Sequence, residues 1–220
     1  MRVLLILLFF LITQPIFAQN ERVDSHYQKG TLKEGYKESI WEYYDKPGEL
    51  ALKIDYSSAK LLFLKPDTSE YIIKINDQWT KSKLDVQPRY IGSMHDFKKL
   101  QSTIRYPAEA RTKETAGTFY ITFEIDTIGR AGNYQVINDI GNQCSEEVIK
   151  ALRTIPNYWL TAQKEGKLYP SKFILPVTFK MTVNGREIRP RKNKLIESPL
   201  AKELDELVIS VMGVTRTTIR

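Results

Sequence analysis

The side chains that most often carry out chemistry are few in this sequence and lie far apart. The two histidines, His26 and His95, lack the spacing of metal ligands. Cys144 is the one cysteine, so an intrachain disulfide is impossible; it could pair between chains, but a buried core position is the favoured interpretation. We expect Glu124 and Asp126 to be solvated, on a strand face and in a turn. The sequence therefore predicts no catalytic residue, no metal site and no cofactor.

Catalysis by residues brought together only in space leaves no local signal, so Ser–His–Asp and Cys–His arrangements stay open. Nothing in the sequence points to one, and no Gly-rich phosphate loop is present. The tryptophans Trp41, Trp79 and Trp159 are expected in cores rather than as ligand platforms. A hydrolase hidden in the first part of the chain is therefore the weakest of the functions considered, and a non-enzymatic binding protein is favoured.

Residues 1–18 have the pattern of a secretory signal peptide. Arg2 precedes an apolar run from Val3 to Ile12, and Pro15 and Ala18 follow, with cleavage expected after Ala18. The run is shorter than the ~20 residues that a membrane span needs. We expect a periplasmic protein; the alternative is a protein anchored in the inner membrane by an uncleaved N-terminus, the one case in which membrane contact is expected.

The bulk composition is that of a globular protein of one or two domains. The chain has 220 residues, of which 42% are hydrophobic, and a net charge of +7. A pI near 9.3 favours acidic partners or anionic surfaces. Export makes a nucleic-acid partner improbable, so a protein partner is expected.

The first part of the mature chain, residues 19–87, is predicted to be a small, mainly β segment. Turn residues separate four short strands joined as antiparallel hairpins, at residues 40–44, 50–54, 60–64 and 70–75. The order Gly35, Trp41, Tyr43, Tyr44, Gly48 resembles one unit of the MORN-like repeats, although Gly35 and Trp41 are too far apart. An ordinary β meander with aromatic cross-strand pairs explains the same residues.

The second part, residues 88–183, is predicted to be an α+β domain, with an antiparallel sheet packed by two or three helices. Helical spacing is found at residues 93–104, 107–111 and 145–155, where Ser145 is a candidate N-cap. Strict alternation predicts strands at 117–125 and 173–181, and residues 134–137 continue a hairpin. Because Pro176 cannot donate to a ladder, the 173–181 strand is expected at a sheet edge.

The same residues, taken in order, resemble the TonB C-terminal domain. The resemblance rests on Arg105-Tyr106-Pro107, Gly117-Thr118-Phe119 through Gly129, Cys144 through Val148, Pro156-x-x-Trp159, Gly166-Lys167 and Leu175 through Lys180. The motif residues we single out are Tyr106, Pro107, Gly117, Gly129, Trp159 and Gly166. One departure is that the family commonly has Pro-x-Trp-x-Pro, whereas an extra residue follows Pro156 here and Thr161 replaces the second proline.

This resemblance implies docking onto the Ton box of an outer-membrane receptor by strand addition, in which backbone groups of a sheet edge pair with an extended peptide. The expected edge is the 173–181 strand, so the candidate partner-binding residues are Phe173, Ile174, Leu175, Val177, Thr178, Phe179 and Lys180. The inward side chains of this strand are expected to serve packing, and the exposed backbone to serve binding.

The third part, residues 184–220, is predicted to be a basic linker followed by a tail. The linker carries Arg186, Arg189, Arg191, Lys192 and Lys194. The tail resembles the Ton-box region of the receptors through Leu204, Asp205, Glu206, Leu207, Val208 and Ile209. A short strand or helix packed on the domain explains it equally. If the tail pairs with a TonB-type edge, that edge belongs either to its own chain or to another copy.

The chain departs from an energy transducer, which has an uncleaved membrane helix and a long Pro-rich linker. The leading interpretation is a periplasmic protein-binding module whose partner is a TonB-dependent receptor or a second copy of itself. The alternatives are a membrane-anchored energy transducer for outer-membrane transport, and an envelope adaptor or signalling protein whose β-rich first part is the recognition surface.

Overall fold

The computed structural model describes residues 20–155, 158–188 and 200–212. These residues form two large, mainly antiparallel sheets, two small two-stranded sheets and three short α-helices. The fold is therefore rich in sheet and poor in helix. No helix in these three ranges is long and apolar enough to cross a membrane.

The first sheet is an antiparallel meander in chain order. Its strands are β1 (Asn20–Asp24), β2 (Gln28–Lys33), β3 (Tyr36–Lys46), β4 (Glu49–Asp55) and β5 (Lys60–Leu64). A small core of Trp41, Tyr43, Leu52 and Ile54 holds it together. Gly30 lies against this core: an added Cβ would stand 2.3 Å from the Trp41 ring, so the indole occupies the space that a side chain would need.

The chain then continues through β6 (Tyr71–Ile75), β7 (Gln78–Ser82), β8 (Arg89–Tyr90), α1 (Met94–Lys98), a 3-10 helix (Lys99–Ser102), α2 (Ala108–Thr112), β9 (Gly117–Ile125), β10 (Ala131–Ile137) and α3 (Cys144–Leu152). The remaining strands are β11 (Trp159–Leu160), β12 (Ala162–Lys164), β13 (Lys167–Tyr169), β14 (Ser171–Val183), β15 (Arg186–Glu187), β16 (Lys202–Glu203) and β17 (Leu207–Met212).

The second sheet is built around β14 and has the order β10-β9-β14-β6-β7, with β15, β16 and β17 also paired to β14. The β9–β14 ladder is antiparallel and runs from Ser171 opposite Ile125 to Phe179 opposite Gly117. The alternating apolar residues of both strands are buried, as their period of two predicts. Each such buried aromatic or branched side chain contributes about 1.5–3 kcal/mol relative to an exposed one.

The division between the sheets falls between β5 and β6, and not at the predicted limit between residues 87 and 88. Strands β6 and β7 lie within 19–87, yet they extend the second sheet. The reason is burial: Tyr71 packs edge-on against Phe173 of β14, with ring centroids 6.5 Å apart. Ile72 and Ile73 are also buried.

The three helical regions lie where expected, and each start and end differs from the prediction by one to three residues. The 93–104 helix is α1 followed by the 3-10 helix; Ser93 caps it by accepting a hydrogen bond from the Asp96 amide at 2.9 Å. Helix α3 begins at Cys144, with Gln143 in a left-handed conformation at the N-cap position. Ser145 is therefore not the N-cap, since its hydroxyl donates to Asp139 at 3.1 Å instead.

The first sheet contacts the rest of the chain through residues 89–95, which comprise β8 and the start of α1. Arg89 forms a 2.9 Å ion pair with Asp45 of β3, and both side chains are largely buried. The His95 ring stacks on Tyr27 at 3.7 Å between centroids. Ile91 packs against the core of the first sheet. The meander is therefore joined to the second sheet by polar and aromatic contacts together.

Candidate partner-binding edge

The predicted edge strand is the centre of the second sheet. On its inner side β14 pairs with β9. On its outer side three strands follow one another along its length, β6 at Ser171, β16 at Phe173–Ile174, and β17 from Val177 to Thr182. The expectation of a free edge at residues 173–181 is therefore wrong for the described chain, since its own tail covers that side.

The tail pairs with β14 in parallel. Six consecutive residues of β17 lie opposite six of β14, from Leu207 opposite Val177 to Met212 opposite Thr182. The Leu204 amide donates to the Ile174 carbonyl at 2.9 Å, so the backbone of Ile174 points outward. Because backbone groups alternate sides along a strand, those of Thr178 and Lys180 point outward as well. These are the groups that a partner strand would use.

Pro176 explains why the outer ladder is interrupted. Pro176 follows Ile174 by two residues, so its nitrogen also points outward, where it has no hydrogen to donate. The paired positions stop at Ile174 and resume at Val177, while three tail residues, 204–206, bridge the gap. The expectation that Pro176 marks an edge strand is therefore wrong, since Pro176 marks a gap in the ladder between β14 and the tail.

Two alternate tail side chains anchor the segment. Leu207 is fully buried and Ile209 is nearly so, and both belong to the main hydrophobic core. Leu204 is partly buried against the same core, whereas Ser210 is exposed. The tail therefore presents one apolar face to the domain.

Three polar contacts fix the register of the tail. Asp205 forms a 2.7 Å ion pair with Lys98 of α1. Thr178 donates a hydrogen bond to Glu206, and because a hydroxyl has one hydrogen, Thr118 is then the donor in its 2.7 Å bond with Thr178. This Thr118–Thr178–Glu206 chain links β9, β14 and the tail.

The third contact is at the start of the tail. The Lys202 ammonium donates to the Ser69 hydroxyl at 2.6 Å and lies 4.6 Å from the centre of the Tyr71 ring. Burial raises the pKa of Tyr71, and the hydrogen bond that its hydroxyl donates to Asp67 raises it further. Burial alone would raise the pKa of Asp67, but hydrogen bonds from Ser69 and Tyr71 lower it to about 2. The carboxylate therefore stays charged near Lys202.

The family-motif residues shape the domain rather than the edge. Tyr106 stacks edge-on against Phe179 at 5.0 Å and donates to the Thr115 carbonyl. Pro107 stands at the N-cap of α2. Gly117 starts β9, opposite Phe179. These residues hold α2 against the end of β14.

Two further motif elements contact each other directly. Gly129 has φ +78°, and its carbonyl accepts the Trp159 amide at 3.1 Å. A Cβ on Gly129 would lie 2.3 Å from the Trp159 carbonyl oxygen, so only glycine fits there. Gly166 also has a positive φ, +74°, in the turn between β12 and β13, where a Cβ would meet no atom within 4 Å.

Trp159 is the centre of an aromatic cluster under β14. Four ring centroids lie between 5.5 and 5.9 Å from that of Trp159, those of Tyr90, Phe97, Phe123 and Phe173. Offset and edge-on contacts of this kind each contribute about 0.5–1.5 kcal/mol beyond area burial. The cluster packs against the core-facing side of β14.

A comparison with protein-family models identifies the domain built around β14. Residues 102–181 match the model of the Gram-negative bacterial TonB protein C-terminal family. This chain contains a TonB C-terminal domain. No curated protein and no solved structure matches the chain.

The TonB C-terminal domain match confirms the family that the sequence resemblance predicted. The matched range includes α2, β9, β10, α3 and most of β14. The strands on the outer side of β14, namely β6, β16 and β17, come from outside the match. The outer side of β14 is thus covered by segments that lie outside the matched residues.

Several predicted features lie outside the described residues. They are the signal peptide, Pro156 of the Pro-x-x-Trp motif, and the linker cations Arg189, Arg191, Lys192 and Lys194.

The MORN-like resemblance has no support beyond the meander itself. Cys144 is buried in the core, and burial raises the pKa of its thiol to about 12. No group of three or more metal-ligating side chains occurs among the described residues.

The sequence does not reveal which residues of the domain contact the tail. Lys98, Ser69 and Tyr71 were not singled out, because each contact joins residues more than 100 positions apart, or 28 in the case of Thr178 and Glu206. One signal was available: opposed Thr118 and Thr178 on neighbouring strands favour a hydroxyl–hydroxyl bond. The acidic pair before the apolar tail residues would then have suggested an acceptor for it.

Proposed function

We propose that this protein is a non-enzymatic binding module of the TonB family, which works in the periplasm and engages an outer-membrane receptor by strand addition. The partner strand adds to the outer side of β14. The family of the matched domain supports a role in the cell envelope, in energy transduction or receptor interaction. The residues that offer backbone groups to the partner are Ile174, Thr178 and Lys180.

One observation carries this proposal: the outer side of β14 accepts an extended segment in parallel, with a ladder, two buried anchors and polar contacts that set its register. Strand addition obtains affinity from main-chain hydrogen bonds and specificity from pockets for alternate side chains. Both are present at β14, with the tail in the place of the partner.

Site-specific photo-crosslinking in living cells tests the proposal. A photoreactive amino acid is placed at Lys180, which is exposed on β14, in a chain that also carries Leu207→Pro to free the edge. The matched control carries the same group at Tyr36, which is 79% exposed on the first sheet. We expect a crosslink from residue 180 to an extended periplasmic segment of an outer-membrane receptor.

Crosslinks to such a segment from residue 36 but not from residue 180 would contradict binding at β14 and favour the first sheet as the recognition surface. Absence of a receptor crosslink from residue 180, in a chain whose free edge is verified by amide exchange, would contradict receptor binding.

A further inference from the structure

The tail is bound to β14 as a peptide ligand would be. It enters with Lys202 on Ser69 and Tyr71, passes the gap at Pro176, and inserts Leu207 and Ile209 into the core. Every one of these contacts is made by the 200–212 segment alone. A separate segment with the same side chains could therefore make the same contacts.

We propose that the outer edge of β14 recognises one class of partner, an extended segment that pairs with it in parallel. The sequence of this segment is two acidic residues, an apolar residue, any residue and a second apolar residue, and residues 205–209 are an internal copy of it. The partner binds by displacing the tail. This inference rests on the strand-addition function proposed above and adds to it the sequence class of the partner and the regulation of the site.

The two acidic positions have distinct tasks. The first, Asp205, meets Lys98 at 2.7 Å on the rim of the site, where the carboxylate is 67% exposed. The second, Glu206, accepts the hydrogen of Thr178, which is itself buried. An exposed ion pair changes affinity by about two- to fivefold. The buried Thr178 hydroxyl selects more strongly, since a segment without an acceptor leaves that donor unpaired.

The two apolar positions supply most of the binding. Leu207 and Ile209 alternate with Val208 and Ser210, so only the first pair faces the core. The tight burial of Leu207 excludes a polar or charged residue at the third position. The middle position, Val208, lies opposite Thr178 and is only partly buried, so it tolerates any β-prone residue.

Several features of the tail favour its detachment from β14. Its ladder has two paired positions, a gap at Pro176, and then six more. Its ion pair with Lys98 is exposed, and only two of its side chains, Leu207 and Ile209, are fully or nearly buried. A segment held by a few anchors and an interrupted ladder opens locally well before the whole domain unfolds.

The length of chain between Ile188 and the tail determines how strongly the tail competes with a partner for β14. Twelve residue steps separate Ile188 from Leu200 and span at most about 43 Å when fully extended. Ile188 bonds to Met181 and Lys202 lies opposite Phe173, eight residues or about 26 Å away along β14. The two residues from Leu200 to Lys202 add at most about 7 Å, so the distance to cover is at most about 33 Å. For a flexible connection of this length, the effective concentration would be on the order of 1 mM. A tail whose own dissociation constant as a separate peptide is about 10 μM then weakens the apparent affinity of any partner about 100-fold.

Fluorescence anisotropy with three labelled peptides tests the inference on the full chain. The first has the sequence of residues 200–212, the second is the same peptide with Asp205→Lys and Glu206→Lys, and the third is the periplasmic N-terminal segment of an outer-membrane receptor. The proteins are the natural chain, Leu207→Pro, and Leu207→Ala as a milder release; Ser210→Ala is the matched control because it changes an exposed position of the same strand.

We expect the first peptide to bind Leu207→Pro about 100-fold more tightly than it binds the natural chain or Ser210→Ala, with Leu207→Ala between them. The Lys-substituted peptide should bind Leu207→Pro at least tenfold more weakly than the first peptide. In a chain that also carries Lys98→Glu, the first peptide should lose about two- to fivefold.

Equal binding of the first peptide by the natural chain and both Leu207 variants would overturn displacement of the tail while leaving strand addition intact. Binding of the receptor segment but not of the tail peptide by Leu207→Pro would overturn the internal copy and again leave strand addition intact. Failure of Leu207→Pro and Leu207→Ala to bind either peptide would overturn strand addition itself.

Discussion

Leu207→Ala should free the tail without unfolding the domain. Leu207 is fully buried, and it belongs to the main core together with Phe173 and Phe179. Truncating a buried leucine to alanine costs about 2–5 kcal/mol, from lost transfer free energy and the cavity left behind. The tail can detach locally, so the whole of this cost appears in its docking equilibrium. With about 1.4 kcal/mol per factor of ten, a loss of 2 kcal/mol raises the detached population about 30-fold.

Amide hydrogen exchange followed by NMR measures this population residue by residue. Exchange at Ile209, and at Thr178 and Lys180 on the outer side of β14, should speed up by about 30-fold or more. Exchange at Leu175 and Val177, whose amides face β9, should stay within about twofold. Ser210→Ala should change neither set, because the Ser210 side chain is exposed.

Equal acceleration at inner and outer amides would refute the reasoning, since the tail would then be an integral part of one cooperative unit. Unchanged exchange at Thr178 and Lys180 would also refute it, because the loss of a buried leucine would have left the outer ladder intact.

Three further predictions concern residues that are not part of the tail. In urea titrations, Gly129→Ala should lower the free energy of unfolding by about 3 kcal/mol or more, and Gly166→Ala by only about 1–2 kcal/mol. Both glycines have a positive φ, but only a Cβ at Gly129 would clash with the Trp159 carbonyl. Equal losses would contradict the clash. Cys144 should resist alkylation at about pH 8 in the native chain and react in denaturant, since burial raises its pKa to about 12; fast native labelling would contradict its burial. The pKa of Asp67 is held near 2, so the stability from its hydrogen bonds is present above about pH 4 and is lost as the pH falls through 2. The urea midpoint difference between the natural chain and Asp67→Asn should therefore shrink over that range, and a constant difference would contradict the hydrogen-bonded carboxylate.

Alternation made the strands of the domain predictable. The apolar set of β9, and that of β14 from Phe173 to Met181, are buried as their spacing indicates. The first-sheet strands β3, β4 and β5 also lie where turn residues placed them. Strand β2 was missed because its residues, Gln28–Lys33, are mostly polar and carry no alternation to read.

Pairing between distant strands was less predictable, because a strand pattern says which residues are buried and not which strand lies beside it. The acidic and apolar tail was recognised as β-prone, but its parallel register with β14 depends on Lys98, Thr178 and the gap at Pro176. Pro176 cannot donate to a ladder, as the sequence indicates, but this does not leave a free edge because the chain itself fills that side.

The helix starts show the same limit on a smaller scale. Ser145 has the side chain of a good N-cap, but the hydroxyl donates to Asp139, and Gln143 takes the N-cap position with φ +65°. Tertiary contacts thus overrode a local preference.

The most direct test of the central claim is a nuclear Overhauser measurement on Leu207→Pro bound to the extended receptor segment. We predict cross-strand contacts between the segment and the backbone of Thr178 and Lys180 in a parallel register, with the amides of both residues newly protected. Contacts located instead on β10, on β7 or on β5, with Thr178 and Lys180 still exposed to exchange, would contradict the claim that β14 is the strand to which partners add.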